Sequence, residues 1–169
     1  MMVKMKISLI DIIKEHFTTF KKSDGSLLKG DLIIFFLIPI VLSCTIFKFI
    51  TTLPEIFINS LLTSFSILTP LLFGLLPMTF SVIDNEFVSS NGYDLINEFK
   101  ANVLFTILLS LLLILILLSW ILINQIRIEC NFIIYMLFIS IILHLFLILR
   151  RFNILINEYI LLKKKYKNT

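Results

Sequence analysis

Residues 56–83, IFINSLLTSFSILTPLLFGLLPMTFSVI, run without a single charge, yet Pro70, Gly74 and Pro77 interrupt them. As a helix rising about 1.5 Å per residue, the stretch reaches roughly 42 Å, beyond the roughly 30 Å of a hydrocarbon core. This is a membrane span with surplus length and built-in irregularity, around which the other helices are expected to assemble. Asn59, Thr63 and Ser66 fall at i, i+4 and i+7, so the first half carries an amide- and hydroxyl-bearing face.

Composition supports the membrane reading. The 169 residues are 59% hydrophobic and only 15% charged, where soluble domains carry roughly 25% charge. The net charge of +4 is concentrated at the two ends of the chain. That arrangement suits anionic lipid head groups (Lys4, Lys14, Lys22, Arg150, Arg151, Lys163 and Lys164) better than nucleic acid. Cys44 and Cys130 lack CxxC spacing and read as small apolar fillers. Charges at Lys4, Lys6, Asp11, Lys14 and Glu15 leave no apolar core for a cleavable signal peptide.

Residues 1–22 predict an amphipathic helix. Val3, Ile7, Ile10, Ile13, Phe17 and Phe20 form one stripe, with lysines opposite. Such a helix lies in the membrane interface, as an anchor or docking element, or packs along the end of the bundle. Ser23–Ser26 is a turn by composition, and Asp31 stands as an N-cap before the first span, about 32–50. Pro39 should kink that span, with Ser43 and Thr45 placed to help satisfy the backbone. The short link at 51–55 makes the first two spans an antiparallel hairpin. An acidic loop follows 56–83, with Asn91-Gly92 as its turn.

The third span, 103–123, ends at Trp120 as an interface anchor. The fourth, 132–149, is closed by Arg150-Arg151, and an amphipathic helix from Ile154 leads into a basic tail. Six Lys or Arg residues lie in each terminal segment and one in each loop. The positive-inside rule therefore places both termini in the cytoplasm. The expected fold is an all-α integral membrane protein of the bacterial inner membrane. Its organisation is an interfacial helix and turn (1–26), a four-transmembrane-helix domain (27–151) and a cytoplasmic helical tail (152–169).

Chemistry-bearing residues are few. His144 is the ionisable side chain well inside a span, and intramembrane ionisable groups mark proton-responsive or gating positions. The alternative is a neutral histidine hydrogen-bonded to a neighbouring helix. Asn59, Thr63 and Ser66, with Pro70, Gly74 and Pro77, can line a narrow path or form a packing face. The two histidines, His16 and His144, are far apart in sequence and in expected depth. Without HExxH, GxSxG, P-loop or CxxC patterns, the chain reads as a non-enzyme with no cofactor and no metal.

Three stretches carry a resemblance: Gly30-Asp31 followed by FFLIPI, the phrase NSLLTSFSILTPLLFGLL, and the exit HLFLILRRFNIL. Over most of 27–155 the chain resembles small four-span bacterial membrane proteins encoded beside antiphage defence genes, such as the membrane component of the Kiwa system. The resemblance implies a homo-oligomeric membrane effector that works with a soluble cytoplasmic partner, and it transfers no functional residue. The alternative is an accessory or scaffolding subunit of a transporter or cell-envelope complex.

Overall fold

The computed structural model describes residues 8–20, 30, 33–83, 90–123 and 127–167, with backbone alone at 78–83, 90–92, 127–129, 158–159 and 161–167. Lys4 and Lys22, the turn at 23–26, Asp31 and the loop at 84–89 lie outside the described residues, as do the side chains of Lys163 and Lys164. Among the described residues every regular element is helical.

Helix α1, Leu9–Thr18, begins where Ser8 caps it. Ser8 Oγ accepts from the amide of Ile10 at 3.2 Å, and Asp11 Oδ2 accepts from the amide of Ser8 at 2.9 Å. This reciprocal cap makes Leu9 the first residue of α1; the part of the expected helix at 1–7 lies outside the described residues. The face turned to the protein is also not the expected stripe. Ile12 is half-buried and His16, Thr19 and Phe20 are buried, whereas Leu9, Ile10, Ile13 and Phe17 are exposed.

A π-helical turn, Ile33–Leu37, runs directly into α2, Ile38–Phe49, where Pro39 occupies the first turn. Proline has no amide to donate, and a wider turn before it absorbs the missing bond without ending the helix. The expected mid-span kink is thus a change of helix type. Thr45 Oγ1 donates to the carbonyl of Val41 at 2.8 Å, but Ser43 Oγ is buried without a hydrogen-bond partner.

Helix α3, Glu55–Ile83, continues through both Pro70 and Pro77. Helix α4 spans Ser90–Leu122 and α5 spans Arg127–Lys167. Asn91-Gly92, expected as a turn, lies inside the first turn of α4, where unpaired amides make glycine least costly. The fourth expected span, its amphipathic extension and the start of the tail are one continuous helix.

Three stretches are long and apolar enough to cross a membrane: Glu55–Pro77, Tyr93–Leu122 and Cys130–Asn157. The remaining apolar helix, Ile33–Phe49, is shorter. Helix α5 is the hub: it packs against α4, α2 and the π-helical turn, while α3 packs on α4 and α1 on α4. The proline-interrupted helix α3 is therefore peripheral. Its short link to α2 does not produce a packed hairpin, because α2 turns away onto α5. The main core lies between α3, α4 and α5, around Ile58, Phe65, Leu113, Leu117, Ile134 and Ile141.

Candidate functional site: a buried histidine pair beneath α1

Four-residue spacing on α4 brings Glu98, Asn102, Thr106 and Ser110 onto one face. Asn102, Thr106 and Ser110 are buried, and each side chain donates to the carbonyl four residues earlier, at 2.8, 2.8 and 2.9 Å. These back-bonds let polar groups sit in an apolar interior without loss of hydrogen bonds. Asn102 has one oxygen left over, and that oxygen meets α1.

His16, wholly buried, places Nδ1 2.8 Å from Asn102 Oδ1. Its Nε2 lies 3.2 Å from Nε2 of His144 on α5. His144 is 1% exposed and holds its Nδ1 2.7 Å from the carbonyl of Ser140, one turn earlier. Phe105 stacks on the His16 ring at 3.8 Å and 5°, and Phe20 meets it edge-on at 4.9 Å. Phe35 and Phe105 each lie 5.2 Å from the His144 ring. The two imidazoles are enclosed by aromatic rings.

A second layer fastens α1 from below. Arg151 Nη1 pairs with Glu98 Oε2 at 2.6 Å, and Arg151 Nη2 donates to the carbonyl of Thr19 at 3.2 Å. Thr19 Oγ1 donates to the carbonyl of His16 at 2.8 Å. Arg151, expected to contact lipid head groups, is thus turned inward, because the C-terminal end of α1 offers it a carbonyl and α4 a carboxylate. Arg150 and Lys14 are exposed. Burial first, then the neighbouring His144 and Arg151, hold the His16 pKa down to about 3.

The expected separation of the two histidines in depth does not hold: α1 reaches into the bundle and brings them into contact. Residue spacing contained a signal for this. Ile12, His16, Thr19 and Phe20 share a face by helical periodicity, and Asn102, Thr106 and Ser110 repeat at four.

The residues singled out on α3 lie elsewhere. Asn59, Thr63, Ser66, Pro70, Gly74 and Pro77 are all exposed on the side away from α4. Asn59, Ser60, Thr63 and Ser64 line, with Ile56, an open depression of about 510 Å³. Ser60 and Thr63 turn their hydroxyls onto the carbonyls of Ile56 and Asn59, at 2.8 and 2.9 Å. A Cβ built on Gly74 would meet nothing within 4 Å, so no close approach within the chain requires a glycine there.

Trp120 is 3% exposed and donates to Asn131 Oδ1 at 2.8 Å, while Asn131 Nδ2 donates to the carbonyl of Thr51 at 2.7 Å. The expected interface anchor is therefore a buried clasp between α4, α5 and the link before α3. Asn131 and His144 are thirteen residues apart on α5, roughly 20 Å by helical rise. Among the described residues no cluster of three or more His, Cys, Asp or Glu forms a metal site. Comparison with protein-family models, curated proteins and solved structures found no match to this chain.

Proposed function

We propose that this chain is a non-enzymatic membrane subunit that associates with further copies of itself through the outward face of α3. One observation carries the reading: Asn59, Ser60, Thr63, Ser64 and Ser66 are exposed on the outer side of an otherwise apolar helix. In hydrocarbon the side-chain amide of Asn59 has no water to bond, and small polar residues let helices of neighbouring subunits approach and share hydrogen bonds. On this reading Ile33–Phe49 is the fourth span, at roughly 25 Å. The basic ends support a bacterial inner-membrane protein with both termini on the cytoplasmic side.

The setting follows from the resemblance described above: the membrane subunit of an antiphage defence system, acting with a soluble cytoplasmic partner. Helix α1 supports a role in such coupling. It is held to the bundle by polar residues, while Leu9, Ile10, Ile13 and Phe17 remain available to the membrane interface or a partner. A membrane-potential dye tests the effector role in cells that carry the whole operon. Depolarisation after phage infection, abolished by deleting this gene, is the expected result. An unchanged potential during infection removes the effector role.

A further inference from the structure

We infer that His16 and His144 hold a single proton between their Nε2 atoms, and that this shared proton latches α1 to the bundle. The inference does not depend on what α3 meets.

The hydrogen-bond network sets where the ring protons are. A backbone carbonyl only accepts, so the 2.7 Å contact with the carbonyl of Ser140 requires a proton on His144 Nδ1. The carbonyl of Glu98 likewise requires Asn102 to turn its Nδ2 toward it, at 2.8 Å. That leaves Asn102 Oδ1, an acceptor, facing His16 Nδ1 at 2.8 Å, so His16 Nδ1 carries a proton as well. A neutral imidazole has one N–H. Two neutral rings in these tautomers would therefore face each other, Nε2 to Nε2 at 3.2 Å, with a bare lone pair on each.

No solvent reaches the gap to relieve that opposition, since His16 is 0% and His144 1% exposed. Moving either proton to Nε2 only shifts the problem, by setting a bare Nδ1 against the oxygen of Asn102 or of Ser140. One additional proton resolves it. The charged ring then donates through both nitrogens, and the neutral ring donates through Nδ1 and accepts at Nε2. Phe105, parallel to His16 at 3.8 Å, presents a π face to a cationic ring.

The charged surroundings oppose a second proton. From α4 the nearest charge is Glu98, engaged by Arg151 of α5 at 2.6 Å. Asp94, one turn from Glu98, is exposed, and the π-helical turn contributes only the ring of Phe35. On α1 itself Lys14 and Glu15 are exposed and Asp11 caps the far end of the helix. Burial, with His144 and Arg151 as neighbours, opposes a second proton on His16, whose pKa is held down to about 3. When α1 docks from a state in which both rings are neutral, one proton passes from solvent to the pair. Docking therefore weakens as pH rises toward the point at which the docked pair loses that proton, by up to about tenfold per pH unit, and no longer depends on pH beyond it.

Nuclear magnetic resonance of the full chain, 15N-labelled at histidine in lipid nanodiscs at pH about 6, counts the protons on the four ring nitrogens. Three protons, two on the Nδ1 atoms and one divided between the Nε2 atoms, is the expected result. Two protons, with one ring in the Nε2–H tautomer, overturns the inference. So does one zinc or copper ion per chain in elemental analysis. The wild-type measurement needs no variant to fold. Hydrogen exchange, corrected for the intrinsic pH effect, adds a second readout through His144→Gln, whose amide can donate to His16 Nε2 without a charge. Protection of α1 should fall with rising pH in the wild type and stay level in H144Q. Parallel profiles in the two proteins contradict a shared proton.

Discussion

The polar residues of α3 and those of α4 repeat at similar helical intervals, but they meet different surroundings. On α4, Asn102, Thr106 and Ser110 face inward, and Asn102 is completed by His16 from α1. On α3, Asn59, Thr63 and Ser66 face outward beside an open depression. The inward set is satisfied within one chain and holds a surface helix in place. The outward set contributes little to the packing of the chain; Thr63 bonds back to the carbonyl of Asn59, while the amide of Asn59 faces outward. Spacing alone does not separate the two cases. What separates them is which face the remaining apolar residues turn to the hub helix α5 and its neighbour α4.

If the inward set closes the fold, damaging it should cost stability. Asn102→Leu removes the acceptor of His16 Nδ1 and leaves a buried donor unsatisfied, at about 1–3 kcal/mol. Thermal unfolding in detergent measures this, and α1 should lose hydrogen-exchange protection first.

Acid should act on the same contact. Docked, the pair holds one extra proton and His16 takes a second only near pH 3, so wherever both undocked rings are charged the undocked form binds more protons. Docking is therefore fully present above the undocked pKa on this limb. It loses up to about 1.4 kcal/mol per unit as pH falls toward 3. Together with loss of the shared proton at higher pH, this gives a docking maximum near neutrality, readable from exchange of the α1 amides.

Trp120→Phe tests the clasp at the opposite end. It deletes the donor to Asn131 at 2.8 Å and should cost about 0.5–1.5 kcal/mol. Protection of α1 should be untouched, because the two networks lie roughly 20 Å apart along α5. The smallest effect on stability is expected on α3. Asn59→Leu changes an exposed side chain and should stay within about 0.5 kcal/mol in the unfolding of the detergent-solubilised monomer.

The helices themselves were legible in the amino-acid sequence, because uncharged runs of this length have few alternatives. The α3 helix begins at Glu55 and ends at Ile83, against an expected 56–83. What periodicity could not supply was the partner of each face. A tryptophan at a span end, such as Trp120, usually anchors the interface. The Trp120 indole instead reaches Asn131. Arg150 and Arg151 are adjacent in sequence but about 100° apart around the helix, and only Arg151 falls on the packed side. On α1 the apolar stripe of Ile10, Ile13 and Phe17 is exposed, and His16 lies on the opposite, buried side. The buried side of that helix is the more polar one, an arrangement that becomes favourable only when Asn102 and His144 are there to meet it.

The outward face of α3 is the proposed seat of a second copy. Counting subunits by single-molecule photobleaching, for wild type and Asn59→Leu in native-lipid nanodiscs, tests this most directly. More than one copy per particle in the wild type, falling to one in the variant, is the predicted result. A single copy in the wild type, or an unchanged count in N59L, would contradict it.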